Sequence, residues 1–409
     1  MRHMIHARTA AAAVAATAAV AVLAGLTAAG APPSERPAQG DLAAFLGAPR
    51  FALRQLFGEG KDKARGGRNI ITAQDGTVLA FHRTQVLRST DGGTTWSDPV
   101  EIGPKAAGCN ALVDEVTGAV LLVNPDGHRL ISRDAGRTWK EEAVEVRPNL
   151  MGHGSSEKKN LSAGAMQPGI TLRFGKHKGR LLMPVRWIPS NDLPWRPCIY
   201  NTAIYSDDRG KTWQTTSPFP VLGTGEAALA EISDGRVLYS SREHMSRGNR
   251  FFAWSYDGGE RWLNFRRSQV LPDGARGTSY GCMGGLVRLP VAGRDVLVYS
   301  NLDTDKGVMP PIEEAGASRG QGREKITVWA SFDGGTTWPA KRLVFDGPSA
   351  YSCLGVGRPG TPSEGRIYLF FEGGAKGMYA GVQVATFNLA WLLDGERTGD
   401  GSVPKALAR

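Results

Sequence analysis

The chain has 409 residues, a net charge of +10, ordinary hydrophobicity and 53 glycines. Glycine and proline interrupt it throughout and no helix-period stretch runs long, which argues against a helical bundle and for short strands joined by turns. Its basic residues are scattered, without a Lys/Arg run or an RNA-binding signature, so the surplus charge argues against nucleic acid and suits an anionic small substrate or acidic glycan.

In chain order, Arg2, His3, His6 and Arg8 precede an Ala/Val/Leu run that ends at Ala29-Gly30-Ala31. This pattern predicts a secretory signal over residues 1–31, hence a secreted protein with no stable membrane anchor after signal removal. A retained anchor is the alternative. No other segment is long and apolar enough to span a bilayer. Residues 32–50 read as a linker. The four cysteines, Cys109, Cys198, Cys282 and Cys353, suit an exported protein and permit three pairings. Their spacing makes no metal site, and no cofactor is expected.

Two repeats then organise the chain. The frame Ser-x-Asp-x-Gly-x-x-Trp opens at Ser89, Ser132, Ser206, Ser255 and Ser331. A turn, a glycine and a short apolar strand recur at Gly76, Gly118, Gly179, Gly235, Gly293 and Gly365. Each unit is about one four-stranded sheet in length, the signature of a propeller built by radial repetition. Six hairpins stand against five frames. The last unit, YAGVQVATFNLAWLL, lacks a fourth strand, and FALRQLF at residues 51–57 can supply it. The expectation is an all-β, six-bladed β-propeller of four-stranded antiparallel blades over residues 51–395. Its ring is closed by the N-terminal strand, and residues 396–409 form a flexible tail. Within each frame Asp bonds the amides of its own turn, Gly takes the positive φ, and Trp packs between sheets.

The glycine turns and the Ser-x-Asp turns share one end of such a ring, so the longer insertions, from Gly179 to Ser206 and from Gly293 to Ser331, lie at the other. Function collects on such loops. Seven residues stand where strands meet that end: Arg68, Arg83, Glu226, Arg242, Arg323, Tyr351 and Glu372. Arginines converging on one mouth repel each other unless an anion lies between them, and their planar forks suit a carboxylate. A Tyr beside a Glu is a nucleophile with a base. A neutral phenol also avoids the repulsion that a carboxylate nucleophile meets at an anomeric centre bearing its own carboxylate.

These stretches resemble the bacterial sialidase (exo-α-neuraminidase) family, whose repeated turn is the Asp box, over roughly residues 55–395. GEAALAEISDGRVLYSSR resembles the family's Glu-to-Arg segment, which implies Glu226 as general base and Arg242 as one of three carboxylate-binding arginines. GREKITVWASFDGGTTWP and SAYSCL imply Arg323 as another and Tyr351 as nucleophile. LFFEGG implies Glu372 as the residue that orients the first arginine, and the stretch from Gln167 matches the segment ahead of the third box. Two departures stand out. The first arginine normally lies in Arg-Ile-Pro; here the chain reads RNIITAQDG, two residues shorter, which keeps strand parity for Arg68 and leaves Arg65 as the alternative. The family's acid/base Asp has no counterpart in FHRTQVLRSTDGG, where Asp91 belongs to a box. His82, Asp62, Glu157 and Asp192 are the candidates to replace it. Trp187 and Trp195 either wall the pocket or pack. The resemblance implies a metal-free exo-sialidase acting on sialylated or other acidic glycans. An enzyme for a related acidic sugar, or a non-catalytic acidic-glycan-binding propeller, is the alternative.

Overall fold

The glycine-punctuated segments fold into antiparallel strands in a computed structural model that describes residues 39–58, 68–149, 160–189, 194–245, 248–274, 281–304 and 322–407. Residues 1–31, expected as a signal, lie outside the described residues. After β1 (Phe51–Phe57), one four-stranded sheet holds β2 (Arg68–Thr72), β3 (Val78–His82), β4 (Gln85–Ser89) and β5 (Val100–Glu101). The next holds β6 (Asn110–Val113), β7 (Val120–Asn124), β8 (His128–Ser132) and β9 (Lys140–Ala143). A third sheet surrounds β13 (Leu181–Trp187), β14 (Tyr200–Ser206) and β15 (Thr212–Thr215) with the short strands β10 (Glu145–Arg147), β11 (Leu161–Ser162) and β12 (Ile170–Thr171). The fourth holds β16 (Thr224–Glu231), β17 (Val237–Glu243), β18 (Asn249–Ser255) and β19 (Leu263–Pro272).

The remaining strands form one path. They are β20 (Gly285–Arg288), β21 (Leu297–Leu302), β22 (Glu324–Ser331), β23 (Ala340–Val356), β24 (Ile367–Gly373) and β25 (Val382–Phe387). The 17-residue β23 pairs with β22 through its first half and with β24 through its second, so it leaves one sheet and enters the next. β1 pairs antiparallel with β25, from Phe51 opposite Phe387 to Phe57 opposite Val382. Neighbouring inner strands touch: β2 meets β6, β6 meets β12, β13 meets β16, β16 meets β20, β20 meets β23, and β23 meets β2. The architecture is a propeller arrangement of four-stranded sheets.

Apolar side chains fill the wedges between sheets. Leu238, Leu286, Tyr299, Trp329 and Trp338 join the fourth sheet to the next, for example. An inner strand is therefore covered on both faces; β16, reading TGEAALAE, is buried at every position. A carboxylate on such a strand is tolerated only if it is paired and hydrogen-bonded.

All five repeated frames are turn fasteners. In each, the Ser hydroxyl donates to the Asp carboxylate at 2.8 Å, at Ser89, Ser132, Ser206, Ser255 and Ser331. The amide two residues past the Asp donates back to that Ser oxygen, as Gly93 does to Ser89 at 2.7 Å. Desolvation pushes the Asp91 carboxyl up, but bonds from Thr95, Ser89 and Thr94 outweigh it and hold the group at about 2. Asp134 is held at about 2 in the same way.

Both chain ends depart from the expectation. Within the predicted linker, Gly40 bonds Pro290 at 2.7 Å and bridges to Val291, while Leu42 and Phe45 are buried in the core. Residues 396–407 are not a loose tail. β26 (Glu396–Arg397) pairs with β23, the Asp400 carboxylate accepts from the Trp338 amide at 2.9 Å, and Leu407 is buried in the same cluster as Leu42. Polar composition hid this docking, because only a few apolar side chains in each segment anchor it.

Candidate active site

Glu226 occupies a β-bulge. Pairing of β16 with β17 slips between Gly225 and Ala227, and Glu226 adopts φ 62°, a left-handed conformation costly for a residue with a Cβ. The inserted residue re-aims its side chain, which is 3% exposed, away from the sheet's regular alternation. Gly225 beside it must lack a Cβ, since one would come 2.7 Å from His244 Nε2.

Three side chains from three strands meet there. Arg242 on β17 donates through Nη1 to Glu226 Oε2 and, at 3.0 Å, to the Tyr351 hydroxyl. That hydroxyl donates to Glu226 Oε1. Arg323, immediately before β22, holds the Gly281 carbonyl at 2.8 Å and places its guanidinium carbon 5.6 Å from the Tyr351 ring centroid. The corresponding atom of Arg242 lies 5.9 Å from the same ring. Two guanidinium groups thus lie within 6 Å of one tyrosine ring, a cationic setting that suits a carboxylate next to a phenol oxygen.

The supports are backbone ties. Glu372 Oε2 accepts from the Tyr351 amide at 2.9 Å. Gln167 donates to the Ser352 carbonyl at 2.8 Å, accepts from the Leu354 amide at 3.2 Å, and bonds its own amide to the Ala227 carbonyl at 2.9 Å. One residue therefore straps the strands next to both Tyr351 and Glu226. Behind them Arg250 is fully buried; it holds Asp273 at 2.7 Å and Ser240 at 2.9 Å, and Asp273 accepts from the Glu243 amide at 2.7 Å.

Protonation states follow from these surroundings. Burial works to raise the Glu226 carboxyl, but the charges of Arg242 and Arg186 and the bonds from Tyr351 and Arg242 prevail and lower it. Burial first, and then the Glu226 charge, push the Tyr351 phenol well above its usual range. The resting pair is a carboxylate beside a neutral phenol. Burial, and then the charges of Arg242, Arg186, Arg196 and Arg323, push His244 far below the usual imidazole value. The mouth is strongly cationic.

The other expected residues divide. Arg68 opens β2 opposite His82, but its side chain lies outside the described residues, as do Arg65, Asp62, Glu157, Asp192 and the Trp195 side chain. Arg83 is exposed at the tip of the β3–β4 turn with φ 56°. His82 is 6% exposed with its ring 4.8 Å from that of Phe57. Trp187 is a packing residue, 4% exposed and stacked on Tyr200 at 5.2 Å. Sequence reading missed Arg186 on β13, whose Nη1 lies 3.7 Å from Glu226 Oε1. It also gave Gln167 no role. Neither lies in a repeated frame, and their approach to the pair depends on how distant strands meet.

A separate cavity lies further along the same inner strands, lined by Thr72, Glu115, Arg173, Glu231, Arg288 and Arg358 among others. Its charges are largely internally matched, Arg358 and Arg173 both pairing with Glu115.

The chain is similar in sequence and fold to known proteins. The BNR repeat-like domain family model matches residues 118–362, more than half of the chain. A sialidase of Micromonospora viridifaciens is 29% identical over 335 residues, covering 75% of this chain and 46% of its own length. A sialidase of Bacteroides fragilis is 29% identical over 341 residues, covering 70% of this chain and 57% of its own. The chain thus spans about half the length of the curated relatives it matches. The solved Hadza microbial sialidase Hz136 shares the fold, with a TM-score of 0.59 and 23% identity over 80% of this chain and 66% of that one. With residues 118–362 matched, the chain belongs to the BNR repeat-like domain family, and it is similar in sequence and in fold to sialidases.

Proposed function

We propose that the protein is a retaining exo-α-sialidase that removes terminal sialic acid from glycans. The observation that carries this reading is the single hydrogen-bonded group of Tyr351, Glu226 and Arg242, with Arg323 beside the tyrosine ring. A lectin for acidic glycans needs the arginines but has no use for a buried base on a phenol. In this mechanism Arg242 and Arg323, with Arg68 as the third member, hold the substrate carboxylate. The Tyr351 oxygen attacks the anomeric carbon as Glu226 takes its proton, and the bond to the aglycone oxygen breaks. Water then attacks the anomeric carbon and gives its proton to the acid/base group, the bond to the Tyr351 oxygen breaks as Glu226 returns its proton to that oxygen, and two inversions give retention.

We further propose an N-terminal signal and a closed ring. Residues 1–31 are a signal removed on secretion. The ring has six blades, counting β20–β22 with the first half of β23 as one and the second half of β23 with β24, β25 and β1 as the last, which closes it. Closure removes free sheet edges.

The acid is the open element of this chemistry, because the β3–β4 turn carries Arg83 and Thr84 and no carboxylate. Proton donation contributes about 10²–10⁴-fold when the leaving group is poor and little when it is good. Turnover of an aryl α-sialoside, compared with a natural sialoside, therefore tests both activity and acid. The wild type is expected to hydrolyse the aryl substrate. If His82 is the acid, His82→Ala slows the natural substrate far more than the aryl one; equal effects remove it from that role. Glycan binding without hydrolysis of either substrate overturns the hydrolase reading in favour of a lectin.

A further inference from the structure

Arg186 helps hold Glu226 ionised, but among the described residues its guanidinium makes no hydrogen bond. It sits on β13 between Ser162 of β11 and Asn201 of β14, a rigid strand, with its side chain 15% exposed. Its one ionic contact is Glu226 Oε1 at 3.7 Å, beyond hydrogen-bond range. That carboxylate already accepts from Tyr351 and Arg242. Among the described residues no acceptor bonds the Arg186 guanidinium, and its Nε is buried with no partner. Its cross-strand neighbour Asn201 gives its amide nitrogen to Ser241 at 2.8 Å. Leaving that buried Nε donor unmade is costly. Such an exception in a folded protein calls for an explanation.

Position supplies one. Arg242 and Arg323 lie beside the Tyr351 ring, a cationic setting that suits the carboxylate of a bound sugar acid. Arg186 reaches Glu226 from the preceding sheet, at the oxygen that also takes the Tyr351 hydroxyl. It therefore approaches the pair through Glu226, from β13, and not beside the Tyr351 ring as Arg242 and Arg323 do. During reaction Glu226 becomes neutral on accepting the phenolic proton, and Arg186 then loses its one anionic neighbour unless the ligand provides an acceptor.

We propose that Arg186 is a specificity-determining residue whose guanidinium takes an oxygen acceptor of the bound sugar acid away from its carboxylate. This rests on the reading of the site as one for sialic-acid-like sugars. Two oxygens have this chemistry: a hydroxyl of the exocyclic polyol chain, and the carbonyl of the acylamino group.

The test is calorimetric binding of three 2,3-didehydro sugar acids: the complete sialic acid form, one with the exocyclic chain shortened by two carbons, and one with hydroxyl in place of acylamino. Arg186→Ala, and Arg186→Met, which keeps the aliphatic stem, are expected to weaken the complete ligand about 10- to 100-fold, the scale of a charge-assisted hydrogen bond. Arg186→Lys should recover part of the loss. The penalty should largely vanish on one trimmed ligand, which names the oxygen. An equal penalty on all three, or none on the complete ligand, overturns the proposal. Wild-type binding without hydrolysis of an aryl α-sialoside overturns only the hydrolase reading. Failure of the wild type to bind any of the three overturns both.

Discussion

Tyr351→Phe is expected to lower kcat/KM for an aryl α-sialoside by about 10³- to 10⁶-fold, the range for loss of a covalent nucleophile. The substitution removes one oxygen and nothing else. That oxygen accepts from Arg242 at 3.0 Å and donates to Glu226, so the loss touches both the bond that forms and the proton that leaves. The backbone of Tyr351 stays tied to Glu372, so the ring keeps its place beside Arg242 and Arg323. Binding of a didehydro sugar acid should accordingly change far less than kcat/KM. A variant that loses binding and turnover in the same proportion would show Tyr351 to be a binding residue, with the chemistry elsewhere.

Glu226→Gln should cost about 10²- to 10⁴-fold in the same parameter, the contribution of a positioned base. Gln keeps the acceptor oxygen but cannot take the phenolic proton, and Tyr351 in its raised state does not ionise unaided. The pH dependence carries a sign. The base must be ionised, so kcat/KM falls as pH drops through the Glu226 pKa. The net effect of Arg242 and Arg186 is to lower that pKa. The acid limb of the wild type should thus lie below about pH 4.3, the usual glutamate value. An acid limb well above it would mean that Glu226 is not the base, or that its guanidinium neighbours do not govern it.

Much of this molecule was legible in one sequence because its main device is local. Ser-x-Asp-x-Gly-x-x-Trp fixes a turn through bonds within five residues, and those bonds recur with the same 2.8 Å Ser–Asp contact at all five sites. Glu226, Arg242 and Arg323 could be singled out because each stands near the end of a recognisable strand, and Tyr351 because its segment, SAYSCL, resembles a known one. Their union in one hydrogen-bonded group needs β16, β17 and β23 to meet, which no local pattern states. Arg186 was out of reach for that reason: LLMPVRW reads as an apolar strand with one solvated charge. The bulge at Glu226 was invisible too, since GEAALAE keeps an unbroken apolar strand pattern while the pairing slips by one. Residues 396–407 misled in the opposite direction, their polar composition concealing Asp400 and Leu407 as anchors.

The central claim is that Tyr351 forms a covalent bond to the sugar. A 2,3-difluoro sialic acid slows breakdown of such an intermediate more than its formation, and peptide mass analysis after brief exposure locates the adduct. The account predicts one sialyl adduct per chain, on the peptide carrying Tyr351, absent from Tyr351→Phe and slow to form in Glu226→Gln. An adduct on any other residue, or a wild type that hydrolyses an aryl α-sialoside with inversion and no adduct, would contradict it.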